Sequence, residues 1–297
     1  MKIKGVVPVL HTPITHDDQI DFEGLGRLVD FLVNKDIGAL WVLGTGGEDM
    51  SLTYSDRLEV VKHVIKVNKN RKPLLVGASF YSYKETLEFL NELNELEIHG
   101  THYMPYHQLV STDRIKWIYK SLAEKSKHPL WMYSSANWCQ LITPKFVEEM
   151  KGTKNIVGIK YSTSNSQHME RVARLSDENF NVLSAVAATF YSSLLVGVDG
   201  ATSSIASPLP EIMIDIYREY KLNNFNSALT KQRKLNDFLN TWPATLSKDN
   251  FLKGAEEKVI LKYRNICGKN MTGYYRQASE NEEDMIIKSL MKFYPEI

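Results

Sequence analysis

Residues 156–162 read Ile156-Val157-Gly158-Ile159-Lys160-Tyr161-Ser162, an apolar run with a lysine inside it. As a β-strand it sends Val157, Ile159 and Tyr161 to one face and Gly158, Lys160 and Ser162 to the other. The apolar face suits packing on a helix, so the Lys160 amine points into whatever lies opposite. An amine held there is partly desolvated, which disfavours its charged form and frees its lone pair to attack a carbonyl. That is Schiff-base chemistry. A strand lysine taken alone more often carries its head out to solvent, so the reading depends on the company Lys160 keeps.

Outward from this segment, short apolar runs alternate with amphipathic ones. Strands are expected at residues 6–10, 39–43, 73–77, 101–105, 130–134, 156–162, 182–186 and 201–205. Seven helices separate them. One opens at Asp21, an N-cap, with Phe22, Leu25, Leu28, Val29 and Leu32 at helical spacing. Another opens with Thr143-Pro144, an N-cap followed by proline at the first helical position. Residues 84–96, 114–125, 167–175 and 189–196 supply further crossovers, and a helix over 210–222 closes the series. Eight β-then-α units predict a closed (β/α)8 barrel. An open dinucleotide-binding sheet would carry GxGxxG or GxxxxGK[ST], and neither is present. After about Asn223 the strands stop, and residues 225–239, 252–266 and 280–293 read as an appended helical region. No polar linker sets it apart. The expected organisation is a barrel over 1–223 with helices over 224–297 packed on it as one structural unit.

The 297 residues are 43% hydrophobic and 24% charged, with a formal net charge of +1. That is an ordinary soluble globular balance, and it gives no electrostatic reason to expect nucleic acid or an anionic membrane as partner. The two cysteines, Cys139 and Cys267, form no CxxC and fit a reducing compartment. Met1-Lys2-Ile3-Lys4-Gly5 runs straight into Val6-Val7-Pro8-Val9-Leu10, which reads as a first strand and not as a signal peptide. No run approaches the roughly 20 apolar residues that span a bilayer. A cytoplasmic location is expected.

In such a barrel the reactive face lies at the C-terminal ends of the strands, where the βα loops converge. Three features meet there. The second strand ends in Gly44-Thr45-Gly46-Gly47-Glu48, the fifth in Tyr133-Ser134-Ser135, and the sixth carries Lys160. A glycine-rich turn brings backbone N–H groups close to an anion, and Thr45 adds a hydroxyl. Tyr133 could pass a proton to or from the oxygen of the carbonyl that Lys160 attacks. Each feature alone is an ordinary turn or rim residue. Together, at three barrel positions, they point to a site.

These residues resemble the dihydrodipicolinate synthase/N-acetylneuraminate lyase family of class I, pyruvate-handling aldolases. The carriers are His11-Thr12-Pro13, Gly44-Thr45-Gly46-Gly47-Glu48 followed by Ser51-Leu52-Thr53, then Met132-Tyr133, Gly158-Ile159-Lys160 and Gly197-Val198-Asp199-Gly200. The resemblance implies that Lys160 forms an imine with a 2-keto acid and that Tyr133 shuttles protons beside it. It implies that Thr45 and the Gly46 backbone grip the keto-acid carboxylate, with Thr45 also in the proton relay. Ser204 falls where the lyases place a serine facing the substrate's hydroxyl chain. With Gly47, His107, Trp138 and Ser162, these make up the expected substrate-binding set. No metal or organic cofactor is implied.

Four departures bear on substrate. Gly46 stands where the family usually has a second hydroxyl residue, so an N–H donor is kept and an O–H lost. Trp138 stands where the synthases carry an arginine for the acceptor's carboxylate, which argues against an anionic aldehyde there. His107 replaces a relay tyrosine with an imidazole, a residue type that can still pass protons. Ala187-Ala188 replaces the acidic pair with which sialic acid lyases hold sugar hydroxyls.

Of the remaining candidates, His99 and His102 are the only close histidine pair, and they read as barrel or rim residues for want of a further ligand. Glu48 is expected to cap its turn or meet a helix. Nothing nearby in sequence activates Cys139. Phe80, Tyr81 and Tyr83 follow the third strand, where the family builds a subunit interface, so a homodimer or homotetramer is expected. The expected activity is a Schiff-base lyase or aldolase condensing pyruvate with, or releasing it from, an aldehyde or 2-keto sugar acid. Its rivals are dihydrodipicolinate synthase proper, a keto-deoxy-sugar-acid dehydratase, and a keto-acid-binding paralogue without catalysis.

Overall fold

The computed structural model describes residues 2–135, 138–139, 142–250 and 253–297. In chain order the elements begin β1 (Gly5–Pro8), α1 (Phe22–Val33), β2 (Leu40–Val42), α2 (Tyr54–Asn68), β3 (Leu74–Gly77) and α3 (Tyr83–Leu93). They continue β4 (Gly100–Tyr103), α4 (Thr112–Lys125), β5 (Leu130–Ser135), α5 (Pro144–Met150), β6 (Ile156–Ser162) and α6 (Ser166–Ala173). Then come β7 (Asn181–Ser184), α7 (Phe190–Leu195), β8 (Gly200–Ser203) and α8 (Pro210–Lys221). The last four are α9 (Phe225–Asn240), α10 (Ala244–Asn250), α11 (Gly254–Tyr263) and α12 (Glu280–Phe293).

The chain divides into two compact units. The first comprises residues 2–7, Gly38–Trp41 and Lys72–Ser203, and it holds nearly all of the sheet with α3 to α7. The strand order is β1-β8-β7-β6-β5-β4-β3-β2, and every ladder from β3 to β8 is parallel. The Gly38 N–H donates to Val6 O at 2.8 Å, tying the approach to β2 onto β1, and the Leu40 N–H donates to Pro73 O at 2.9 Å. The two ends of the order therefore meet, and the eight parallel strands form the (β/α)8 barrel that the alternation predicts. Packing inside it explains one motif residue: a Cβ added to Gly158 would fall 2.8 Å from the Trp131 ring and 2.8 Å from Asn181 O. The Trp131 indole fills the space that a side chain at 158 would need. Asp199 closes the N-terminal end by accepting from Ser176 Oγ at 2.8 Å and from the Val182 N–H at 2.9 Å, while pairing with Lys2 at 3.0 Å.

The second unit comprises Pro8–Ile37, Val42–Arg71 and Ser204–Ile297, and it holds α1, α2 and α8 to α12. Asp21 caps α1 by accepting from the Gly24 N–H at 2.8 Å, and Leu25, Leu28, Val29 and Leu32 form the buried stripe. In the first unit, Thr143 and Pro144 open α5 as the sequence indicates. Each such cap stabilises its helix by about 1 kcal/mol. Polar residues enter the buried face of α2, and α10 has no counterpart among the expected helices. α2 buries Arg57 and Asn68 beside Val60, Val61 and Val64, and α10 has only seven residues. Most strands are shorter than the apolar runs suggest; β2, for instance, keeps three residues of the five expected, while β6 matches its run in full and β5 extends one residue beyond it. The helix expected from Leu252 is α11, and Leu252 itself lies outside the described residues.

α11 is buried on every side from Gly254 to Leu261, including Glu256, Glu257 and Lys258. A helix this enclosed is ordinarily apolar throughout. Charges inside it must find partners, because an unpaired buried charge costs several kcal/mol (of order 3–5 when one partner is removed). Their partners lie at the loops that follow β1, β2 and β8.

Candidate active site

Tyr133 and Lys160 are Cα partners in the β5–β6 ladder. Parallel strands send partners of the same register to the same face, so both side chains enter the barrel interior together. The Lys160 amine donates to the Tyr133 hydroxyl at 2.8 Å, and both side chains are buried, 5% and 3% exposed. The nitrogen also lies 4.0 Å from the centre of the Tyr133 ring. This is the pairing of amine and phenol that the sequence implies.

Beneath it lies an aromatic floor that sequence reasoning missed. Lys160 Nζ sits 5.5 Å from the ring centre of Trp41 on β2. The His102 ring from β4 stacks on that indole at 3.9 Å and 16°, and Tyr133 meets Trp41 edge-on at 5.6 Å. The period-two pattern of β2 and β4 could have identified Trp41 and His102 as inward-facing, but chemistry-bearing residue types drew attention to the strand ends instead. His102 is thus a packed barrel residue. His99 accepts from the Leu74 N–H at 3.3 Å, and partial burial lowers its pKa. No cluster of three or more His, Cys, Asp or Glu suited to a metal occurs among the described residues.

Thr45, Gly46, Gly47 and Ser204 belong to the second unit. Gly44–Gly47 is a tight turn in which the Gly47 N–H donates to Gly44 O at 2.8 Å and the Glu48 N–H to Thr45 O at 3.0 Å. Leu43 and Glu48 on either side adopt left-handed backbone, with φ of 56° and 58°. Such a conformation costs a side-chain-bearing residue about 1–2 kcal/mol, so the surroundings must impose it. Glu48 is imposed on heavily. One carboxylate oxygen pairs with Lys258 of α11, and the other accepts from the Thr272 N–H at 2.9 Å and Oγ1 at 2.8 Å. Glu48 meets a helix, as the sequence suggests.

Ser204 explains why position 46 is glycine. A Cβ there would lie 2.9 Å from Ser204 Cβ and 3.1 Å from Val9 Cγ1. The Ser204 hydroxyl donates to Glu257 Oε1 at 2.8 Å, and Glu257 Oε2 lies 2.9 Å from His11 Nε2. The sequence presented His11 only as part of a motif, and Glu257 in the tail gave no signal. Thr12 Oγ1 donates to Gly47 O at 2.7 Å, joining the post-β1 segment to the turn.

The other named residues lie on β6 and on the loops after β4, β5 and β7. Ser162 closes β6, half-buried and in register with Ser135. Trp138 is half-buried, and its N–H donates to Ser135 O at 3.0 Å; Ala136 and Asn137 before it lie outside the described residues. His107 is exposed, its Nδ1 accepting from the Leu109 N–H at 3.3 Å and its ring 6.4 Å from that of Tyr81. Ala187 and Ala188 begin a short turn of helix after β7. Cys139 is buried, donates to Ser135 O at 3.1 Å and has its thiol pushed up to about 11 by burial, away from the thiolate form. Of the three aromatics after β3, Phe80 packs in the core against Phe89 at 5.2 Å, Tyr83 bonds Ser121 at 2.6 Å, and Tyr81 is 64% exposed. Phe80 is thereby removed from any contact surface.

A synthase from Oceanobacillus iheyensis, 4-hydroxy-tetrahydrodipicolinate synthase, is 28% identical over 205 residues, 68% of this chain and 70% of that protein. The solved dihydrodipicolinate synthase of Bacteroides thetaiotaomicron superposes with a TM-score of 0.90 at 26% identity, covering 98% of this chain and 100% of that one. Proteus mirabilis N-acetylneuraminate lyase shares the fold at a TM-score of 0.90 and 15% identity, with 99% of both chains covered. The family model described as the dihydrodipicolinate synthetase family matches residues 2–288. With that match spanning nearly its whole length, the chain belongs to the dihydrodipicolinate synthetase family.

Proposed function

We propose that this protein joins Lys160 to pyruvate, or to a longer 2-keto acid, and makes or breaks the carbon–carbon bond beside the imine. The family consists of pyruvate-dependent Schiff-base aldolases and lyases, and this chain is an enzyme of that class. The observation that carries the residue assignment is the buried 2.8 Å contact between Lys160 Nζ and Tyr133 Oη.

The Lys160 nitrogen attacks the keto carbon, forming a carbinolamine. Tyr133 gives a proton to the oxygen, which leaves as water, and the iminium remains. The cationic nitrogen then draws electrons from the adjacent carbon. That carbon either loses a proton to the Tyr133 phenolate left by dehydration and attacks an aldehyde, whose oxygen takes the proton back, or receives the electron pair released when a longer chain is cleaved, the phenolate taking the hydroxyl proton of the departing aldehyde. Water returns the keto acid and the free amine. We assign the carboxylate to the Thr45 hydroxyl and the Gly46 N–H, with Gly47 keeping the turn tight. Support comes from the half-buried position of Thr45 on a turn bounded by two left-handed residues. Charge-assisted bonds of this kind are about twice as strong as neutral ones.

The partner molecule is assigned by what is missing. Trp138 offers an indole where a guanidinium would select a second carboxylate, so a neutral aldehyde or hydroxylated chain is favoured over an anionic one. Ser162, Ser204 and His107 complete the substrate-binding set. The exposed Tyr81, stacked at 6.2 Å on Tyr106, supports assembly as a homodimer or homotetramer. Among the described residues no helix is long and apolar enough to cross a membrane, and two buried free thiols support a cytoplasmic setting.

The test is reductive trapping. Borohydride with pyruvate should add the reduced pyruvyl group to Lys160, read by peptide mass. Absence of the adduct in folded protein would leave keto-acid binding without covalent chemistry. Aldehydes offered with pyruvate, and sugar acids offered alone, then separate aldolase from dehydratase activity.

A further inference from the structure

We infer that Lys258, with its neighbour Glu257, is a positioning residue for the keto-acid site: α11 sets the conformation of the turn that grips the carboxylate. This deepens the functional reading and rests on its assignment of Thr45 and Gly46.

Four observations carry it. First, two consecutive residues in the enclosed part of α11 bring opposite charges to three loops. Glu257 reaches His11 after β1 and Ser204 after β8, while Lys258 reaches Glu48 after β2. Second, Lys258 and Glu48 are both sealed from water, their side chains 0% and 1% exposed. At such depth each charge depends on the other, and each of the remaining donors and acceptors has a role. Lys258 Nζ also donates to Asn270 O at 2.8 Å, and Asn270 Nδ2 donates to Ile14 O at 3.1 Å. Third, Glu48 is held in left-handed backbone directly after Thr45-Gly46-Gly47. Release of its carboxylate would let that backbone relax and re-aim the Gly46 N–H. Fourth, the Ser204 side chain braced by Glu257 occupies the space that a Cβ at position 46 would need. The same helix therefore holds the turn through Glu48 and packs it through Ser204.

A merely structural ion pair would contribute to stability and leave ligand affinity alone. A positioning pair also sets affinity. Removing only one charge strands the other in the interior, so the informative variant is the double substitution Glu48→Gln/Lys258→Met, which removes both charges at nearly constant volume. The readout is borohydride trapping of Lys160 across a pyruvate series, with the thermal transition confirming a folded protein. The pyruvate concentration for half-maximal trapping should rise about tenfold, the equivalent of one displaced charge-assisted hydrogen bond. Trapping at saturating pyruvate should stay within about twofold of the parent, because the amine and phenol are untouched.

A half-maximal concentration unchanged in the folded double variant would overturn the inference. So would loss of trapping at every pyruvate concentration, since that would place the pair in the chemistry itself. Should the double variant fail to fold, Thr272→Val removes only one hydroxyl donor from Glu48 and should raise the same concentration about threefold; no change there would overturn it equally. Failure of the functional reading is separate, because it appears as absence of a Lys160 adduct in the unmodified protein.

Discussion

Lys160 Nζ and Tyr133 Oη lie 2.8 Å apart because their Cα atoms are register partners in neighbouring parallel strands. The contact is therefore set by the backbone ladder and not by loop conformation. Shifting either strand by one residue would turn one of the two groups to the opposite face. Trp131 packs over Gly158 two residues before the lysine, and that indole fits only because position 158 lacks a Cβ. An amine on so rigid a support is held at a fixed point, as the nucleophile proposed for it would need to be.

Separate losses are expected from the two members of the pair. Lys160→Ala should abolish pyruvate trapping and turnover. Tyr133→Phe should keep the adduct, since the amine remains, while slowing its formation by roughly 10²-fold for want of a proton donor. Rapid-quench trapping reads both. Unslowed adduct formation in Tyr133→Phe would assign the proton to another group.

Position 46 offers a packing test. Gly46→Ser brings a Cβ within 2.9 Å of Ser204 Cβ and 3.1 Å of Val9 Cγ1, and overpacking of this kind costs about 1–3 kcal/mol. Thermal unfolding of Gly46→Ser should show that loss, and adding Ser204→Gly should recover most of it. Additive losses in the double variant would show that the two positions do not compete for one space.

Legibility in the sequence followed the range of the forces involved. Strand–helix alternation, the Asp21 and Thr143 caps and the Lys160 strand are local patterns, and each appears where local chemistry puts it. Glu257 and Lys258 were invisible for the opposite reason: their partners are 246 and 210 residues away, and a helix carrying Glu256-Glu257-Lys258 looks solvated until its surroundings close over it. Ser204 was identified as substrate-facing by resemblance, yet its hydroxyl proton is committed to Glu257. Trp41 and His102 were readable as inward residues from strand parity, but their stacking needed the register of separate strands.

The role proposed for Trp138 at the acceptor end predicts a change of selectivity. Trp138→Arg should raise activity toward carboxylated aldehydes relative to neutral ones by about tenfold, the usual discrimination from one charged hydrogen-bonding contact. Competition between the two aldehyde classes for one pool of enzyme and pyruvate measures the ratio directly. An unchanged ratio would remove residue 138 from the acceptor site.

Both thiols should be silent in the native protein. Burial pushes Cys139 up to about 11 and Cys267 up to about 12, so at pH 8 almost none of either is thiolate, the reactive form. Iodoacetamide at that pH should label neither residue in folded protein and both in denaturant, as whole-protein mass would report. Rapid native labelling of Cys139 would contradict its burial.

Acid should act on the start of α12. Glu282 accepts from Arg276 Nη1 and Nη2, at 2.7 and 2.8 Å, and from the Ser279 N–H at 2.9 Å in a capping box. The Arg276 guanidinium is the main reason its carboxyl titrates well below the usual carboxylate range. An unfolded glutamate titrates near 4.3. Because the folded value is depressed, the stabilisation is complete above about pH 5 and is lost as pH falls through 4.3 toward the lower folded value. Glu282→Gln keeps an acceptor but not the charge, so it should cost about 1 kcal/mol at pH 7. The cost should shrink steadily below pH 4. Thermal unfolding of both proteins from pH 7 down to pH 3 tests this, and a gap that widened with acid would reverse the sign of the linkage and refute the assignment.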